Sequence, residues 1–287
     1  MNLNFLQFYY IYDIIRQLLW RISVFTDRRT SDMGKTIAIV NQKGGVGKTT
    51  TAVNLVASLG SKGYKTLLVD IDPQGNTTSG LGVNKRNVSK SSYDLLTGNA
   101  RVSDVIINTE FKNVSIIPSS INLAGAEIEL VDVKNRESKL KNALALIKND
   151  FNFIFLDCPP SLGLITLNAL CCTDTFFVPI QCEYYALEGL SQLMSTVRQV
   201  KKLYNEYIDL EGILLTMYDG RLNLTQQVVE EVKKFFPKKV YSTVIPRNVR
   251  LSEAPSFGQP VFYYDKHSKG AEAYMNLADE FLQMNRK

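Results

Sequence analysis

The chain has 287 residues, enough for one large α/β domain or two small ones. At 45% hydrophobic and 21% charged residues it is too apolar for a disordered chain and apolar enough to bury a sizeable core. The net charge of +5 permits a nucleic-acid partner without demanding one, because a distributed surplus is not a basic stripe.

Residues 1–32 form an N-terminal extension that is aromatic and apolar from Phe5 to Trp20. Asp13 and Arg16 interrupt it before it reaches the length of a membrane span. It has no basic start and no small-residue cleavage site, which argues against a secretory signal. Two readings stand. One is an interfacial amphipathic anchor, with Arg16, Arg21, Arg28 and Arg29 beside the apolar residues. The other, which we prefer, is a segment outside the functional protein, whose natural start would be Met33-Gly34-Lys35 just before the first strand, placing the domain at 33–287.

The apolar run Thr36 to Val40 leads into Asn41-Gln42-Lys43-Gly44-Gly45-Val46-Gly47-Lys48-Thr49-Thr50-Thr51. A helical pattern with Ala52, Val53, Leu55, Val56 and Leu59 on one face follows. Strand, glycine loop and helix are the context that phosphate binding requires. The glycines let backbone N–H groups turn inward, the helix N-terminus adds partial positive charge, Lys48 reaches the β- and γ-phosphates, and the Thr49 hydroxyl ligates Mg²⁺. The usual pattern would place glycine at position 42; here Gln42 stands there, followed by a second lysine, Lys43. This resembles the deviant phosphate loop K-G-G-x-G-K-[ST]-T, in which the early lysine crosses a dimer interface to the partner's nucleotide. The resemblance implies ATP-dependent dimerisation as well as ATP binding.

Lys65 to Ile71 reads as a buried parallel strand running into Asp72-Pro73-Gln74-Gly75-Asn76-Thr77-Thr78. Asp72, at a strand's C-terminal end, suits a water-positioning carboxylate for phosphoryl transfer; the alternative is that Asp70 or Asp72 caps the turn before Pro73. Ser92 to Leu96 suggests a short helix, Val114 to Pro118 a strand, and Ile121 to Ile147 helical segments, while Asn84 to Asn87 reads as a solvated loop. Phe151 to Asp157 is a second phosphate-site strand of the Walker B kind, with Asp157 holding Mg²⁺ through water. Thr175 to Ile180 is another buried strand, followed by a long amphipathic helix through Tyr204. Between them Glu183 has three readings: a partner for Lys43, a ribose contact, or an ordinary acid at a helix N-terminus. Gly212 to Met217 and Val240 to Ile245 are the last strands, the final one ending at Pro246-Arg247-Asn248-Val249-Arg250. Cys158, Cys171, Cys172 and Cys182 lack C-x-x-C spacing and, with His267 the single histidine, make no zinc set; they read as small buried hydrophobes in a reducing cytosol. Strands alternating with helical patterns, without a linker, predict one doubly wound α/β domain: a mostly parallel twisted sheet of about seven or eight strands with helices on both faces.

The segments KGGVGKTTT, LLVDIDPQGN, FLDCPPSLG, PIQCEYYALEGL, TMYDGR, VIPRNVRLSEAPSFGQP and YDKHSKGAEAY resemble the ParA/Soj family of chromosome- and plasmid-partitioning ATPases, from Lys35 almost to the C-terminus. The resemblance implies a Mg²⁺-dependent ATPase. Lys43 would be the cross-subunit lysine; Lys48 and Asp72 would join it in catalysis. The phosphate cradle would be Gly44, Gly45, Val46, Gly47, Lys48, Thr49 and Thr50, with Pro246 and Asn248 on the adenine. Thr49 would ligate Mg²⁺, and Asp157 would do so through water. Arg221 and Arg250 would contribute to sequence-independent binding of double-stranded DNA by the ATP-bound homodimer. Lys201-Lys202, Lys233-Lys234 and Lys238-Lys239 fit solvated helix faces better. A ParB-like centromere-binding partner and a cytoplasmic, nucleoid-associated location complete what the family implies. The alternative is a MinD-like membrane-associated positioning ATPase, which would carry a C-terminal amphipathic membrane helix; the tail Asp279 to Lys287 is short and not strongly basic.

Overall fold

A computed structural model describes residues 34–183 and 185–286. The extension at 1–32, with its anchor and start-site readings, lies outside the described residues.

In chain order the elements are β1 (Lys35–Ile39), α1 (Lys48–Ser61), β2 (Thr66–Asp70), α2 (Asn76–Gly80), α3 (Ser92–Thr97), β3 (Ile107–Asn108) and β4 (Val114–Ile117). There follow α4 (Leu123–Glu129), α5 (Lys139–Ala145), β5 (Phe153–Asp157), α6 (Leu164–Cys172), β6 (Thr175–Gln181) and α7 (Ala186–Leu203). The chain closes with β7 (Asp209–Tyr218), α8 (Asn223–Phe235), β8 (Val240–Pro246), α9 (Val249–Glu253), α10 (Val261–Tyr264) and α11 (Lys269–Met284). The eight strands among the described residues form one sheet in the order β3-β4-β2-β5-β1-β6-β7-β8. All pairings are parallel except that of β3 with β4. The seven strands expected from the sequence are present; β3 is the eighth, two residues on an edge and too short to leave a periodic signal.

The central strands read as continuous apolar runs because both faces are covered, and their alternation decides which layer each side chain joins. Ala38, Val40, Leu67, Val69, Ile154 and Leu156 pack beneath α3 to α8. Ile37, Ile39, Leu68, Phe153, Phe155 and Phe177 face α1 and α9 to α11. Crossing from β1 to β2 leaves a gap that β5 fills, so the C-terminal ends of β1, β5 and β2 lie side by side. In register, Ile39 stands opposite Asp157, and Asp157 opposite Asp70.

The N-terminal edge of the sheet is closed by a polar knot. Glu211 on β7 is 6% exposed and pairs with Lys35 of β1. It also accepts from Thr175 Oγ1 at 2.6 Å and from Asn285 Nδ2 at 2.7 Å, and Lys35 Nζ donates to Asn285 Oδ1 at 2.6 Å. The knot joins β1, β6, β7 and the end of α11. Truncating one partner of a buried ion pair strands the other charge, at about 3 kcal/mol or more. Glu211→Ala should therefore lower the midpoint of thermal unfolding by on the order of 10 °C, measured by calorimetry. An unchanged midpoint would show that the knot contributes nothing.

Candidate functional site

The loop after β1 is tied to its neighbours before it reaches any phosphate. Asn41 Nδ2 donates to the Pro179 carbonyl at 2.8 Å, and Asn41 Oδ1 accepts from Lys43 N at 3.0 Å. Thr216 Oγ1 lies 2.8 Å from the Val46 carbonyl and 3.0 Å from the Ile180 carbonyl. Gly45 and Gly47 take φ of 75° and 86°, left-handed values that a side chain would strain. Gly47 is the N-cap of α1 and offers no side-chain oxygen, so the first N–H groups of the helix are left for an external anion.

Lys48 is 7% exposed, and its Nζ donates to the Lys43 carbonyl at 3.0 Å. Burial pulls its ammonium below the ordinary value, opposed by Asp157, Cys158 and Asp72. Thr49 Oγ1 donates to Asp157 Oδ2 at 2.8 Å, and Thr77 Oγ1 donates to the same oxygen at 2.5 Å. Asp157 is fully buried, and its Oδ1 has no hydrogen-bond partner among the described residues. A buried carboxylate oxygen left bare beside a phosphate loop fits a hydrated cation: Thr49 would ligate Mg²⁺ and Asp157 would hold one of its waters.

Asp70 is the second buried acid. Its Oδ2 accepts from Thr78 N at 2.8 Å and from Thr78 Oγ1 at 2.6 Å, and its Oδ1 accepts from Asp72 N at 3.2 Å. Burial, and then the neighbouring Asp157, push its carboxyl up to about 7; burial pushes Asp157 up to about 6 against the hydroxyls of Thr77 and Thr49. Asp72 is half-buried and caps the turn through Gln74 N, which donates to its Oδ1 at 2.9 Å. It also lies near enough to act on the charges of Lys48 and Asp157. The turn-capping reading and proximity to the phosphate loop therefore hold together for Asp72, and Asp70 proves to be a tether for α2. Lys85, expected in a solvated loop, reaches back to donate from Nζ to the Gln74 carbonyl at 2.6 Å.

Lys43 and Glu183 meet, as one of the three readings of that acid has it: Nζ of the first pairs with Oε2 of the second. Gly44 and Thr50 lie within the same loop and first turn. At the far end of the edge, Pro246 closes β8 in register with Tyr218, and Asn248 caps α9 by accepting from Arg250 N at 3.1 Å. Arg221 Nε and Nη2 bind Asp219 at 2.8 and 2.6 Å, holding that carboxyl down at about 2 with help from Arg247. Arg250 pairs with Glu253 at 2.7 Å and Asp265 at 3.2 Å. Both arginines therefore flank the β7–β8 end of the same edge, apart from the buried acids. Two cysteines, Cys158 and Cys171, are buried as expected, while Cys172 and Cys182 are partly exposed; all four are free, and burial pushes the Cys171 and Cys182 thiols up to about 12 and about 11.

Thr77, Thr78, Thr216 and Asn41 are the site residues that sequence reasoning did not assign. Their signal was only their adjacency to the motifs.

Because the folded Asp70 carboxyl holds its proton more tightly than in the unfolded chain, its contribution is complete below about pH 4 and is lost as pH rises through about 7. Asp70→Asn keeps one acceptor oxygen for Thr78, sets an amide NH2 against Asp72 N at every pH, and, having no ionisable group, is spared that loss. Its stability deficit against wild type, from urea unfolding of nucleotide-free protein, should shrink by on the order of a few kcal/mol between pH 5 and pH 8. A deficit constant with pH would mean that Asp70 is ionised throughout.

A family model for an AAA domain matches residues 34–210. The chain is 60% identical over 248 residues to the sporulation initiation inhibitor protein Soj of Bacillus subtilis, covering 86% of this chain and 98% of that protein. It is 50% identical over 257 residues to the chromosome partitioning protein ParA of Myxococcus xanthus, covering 90% of this chain and 91% of that one. A solved structure of cobyrinic acid a,c-diamide synthase from Mycobacterium smegmatis, with bound ATP analogue and magnesium, matches with a TM-score of 0.76 at 36% identity, over 87% of this chain and 95% of that one. The glycine loop with two lysines, the buried Asp157 and the sheet order are thus features of a chain that belongs to the ParA/Soj family of chromosome-partitioning ATPases.

Proposed function

We propose that the protein is an ATP-driven switch: ATP joins two subunits face to face, the joined dimer binds double-stranded DNA without sequence preference, and slow hydrolysis returns monomers that release it. The chain is an ATPase that works on ATP with Mg²⁺; the steps of joining, DNA binding and release are our reading of how it uses that activity. The observation that carries it is Lys43, a second lysine at the open mouth of the phosphate loop, 35% exposed and so placed to leave its own subunit. Lys48 already fills the place of the usual phosphate lysine.

In this reading the α1 N-terminus and Lys48 bind the phosphates, and Lys43 reaches the partner's nucleotide. Thr49 and Asp157 hold Mg²⁺, which when bound supplies charge neutralisation on the phosphates. Asp72 orients the attacking water, and Pro246 and Asn248 pack on the adenine. Arg221 and Arg250 lie on the DNA face, where guanidinium groups suit phosphates and two copies per dimer multiply a weak contact. A ParB-like protein would stimulate hydrolysis during segregation of a chromosome or plasmid, and the protein would act in the cytoplasm on the nucleoid. Residues 1–32 stay outside this working unit, taken as 33–287.

The membrane-associated alternative draws less support. The apolar face of α11 is spent on the core, with Leu277, Ala278 and Phe281 fully buried, and no helix among the described residues is long and apolar enough to cross a membrane. That face could not insert in a lipid surface without dismantling the layer over β1 and β5.

Two measurements test the reading. DNA co-sedimentation should show binding with ATP but not with ADP or without nucleotide. Lys43→Ala should abolish it, while Arg221→Ala and Arg250→Ala should each weaken it and reduce the salt slope, by roughly two ion equivalents per dimer. Binding that ignores the nucleotide would sink the switch. In phosphate-release assays Asp72→Ala should lose about a hundredfold in turnover and still dimerise with ATP, as expected for a group that only positions water. Full turnover in that variant would move the role elsewhere.

A further inference from the structure

The contact between Lys43 and Glu183 lies within one subunit, yet in the reading above Lys43 must act in the other. We propose that Glu183 is a positioning residue that holds Lys43 in its own subunit until nucleotide joins two subunits, when the lysine exchanges the carboxylate for the partner's phosphates; this rests on the dimer switch proposed above.

Three observations carry it. The first is the character of the pair. Lys43 and Glu183 side chains are 35% and 46% exposed, so either can return to water at little cost. The Lys35–Glu211 pair is the contrast: there Glu211 is 4% exposed and three side chains bind it, which makes that pair permanent. One is built to last, and the other is built to exchange. Second, the loop is anchored on both sides of the lysine, so the side chain can move while the backbone stays. Asn41 Oδ1 holds Lys43 N at 3.0 Å, and Lys48 Nζ holds the Lys43 carbonyl at 3.0 Å. Third, the place of the acid is fixed independently of the lysine. Glu183 N donates to the Gln181 carbonyl at 2.8 Å, and its own carbonyl accepts from Ala186 N at 3.0 Å at the start of α7. Beside it, Gln42 Nε2 donates to Gln192 Oε1 at 2.5 Å, so the residue that replaces the usual glycine ties the loop to the same helix. A single carboxylate then competes with a polyphosphate of several negative charges, and the polyphosphate wins only once a partner presents it.

The competition has a direction. Removing the carboxylate charge frees Lys43 in the monomer and favours the dimer. An exposed pair of this kind shifts an equilibrium by about two- to fivefold, and a symmetric dimer breaks two of them. Glu183→Gln keeps the shape and removes the charge. With a non-hydrolysable ATP analogue, sedimentation equilibrium should give a dimer dissociation constant about four- to twenty-five-fold lower than wild type. Without nucleotide, Lys43 in the variant should acetylate about two- to fivefold faster with limiting acetic anhydride, followed by mass spectrometry. A merely structural role for Glu183 would not change the labelling of this one lysine. Equal Lys43 labelling in the two proteins overturns the holding contact. Faster labelling with an unchanged dimer constant overturns the competition. A wild type that stays monomeric with the analogue at every concentration overturns the switch itself, and the competition with it, while the labelling still reports whether the contact exists.

Discussion

Two carboxylates facing each other across neighbouring parallel strands, both out of reach of water, set the terms for the whole upper edge of the sheet. Asp70 and Asp157 end β2 and β5 at the same level, and each is fully buried. Two such charges are tolerated only where donors or a cation answer them. Asp70 is answered from within: Thr78 gives it two hydrogen bonds, and α2 is fastened in the process. Asp157 is answered on one oxygen by two threonine hydroxyls and on the other by no hydrogen-bond donor among the described residues. The protein is therefore finished on one side of this pair and unfinished on the other, which is where phosphate and metal chemistry belongs.

Much of this was legible in the sequence, for a physical reason. Parallel strands buried on both faces are written as uninterrupted apolar runs, so β1, β2, β5 and β6 stand out, and the motifs follow directly at their ends. Strand β3 was not legible because two residues carry no period. The assignments that failed or stayed open depend on which strands become neighbours. Thr77 serves Asp157 across 80 positions, and Glu183 serves Lys43 across 140. No local pattern encodes a contact at that range; it follows from β5 entering between β1 and β2, and from β6 lying on the far side of β1. The turn-capping reading of Asp70 holds for one oxygen, which accepts from Asp72 N, but its other partners, Thr78 and a second acid, left no sign in its sequence neighbours.

The two ends of the site differ in how they are held. The phosphate loop is pinned by Asn41 to β6 and by Thr216 to β7, Lys48 closes it on the Lys43 carbonyl, and Gly45 and Gly47 occupy left-handed backbone conformations that a side chain would strain. At the β7–β8 end, Arg221 and Arg250 are held by carboxylates on the surface, Asp219, Glu253 and Asp265. Surface pairs of this strength part readily for a better anion. Rigidity is concentrated where the chemistry needs fixed donors, and exchangeable charge where a partner must come and go.

The knot at the opposite edge has a geometric corollary. Lys35 begins the first strand and Asn285 follows the last helix, yet the two side chains touch. The described domain thus closes into a ring with a single seam, about 17 Å of strand away from the nucleotide edge. Joining the seam with a short peptide and opening the ring at a surface loop would give a circular permutant with the same sheet. For the same reason, a reporter attached at either side of the seam would project from one point, behind the face on which the switch works.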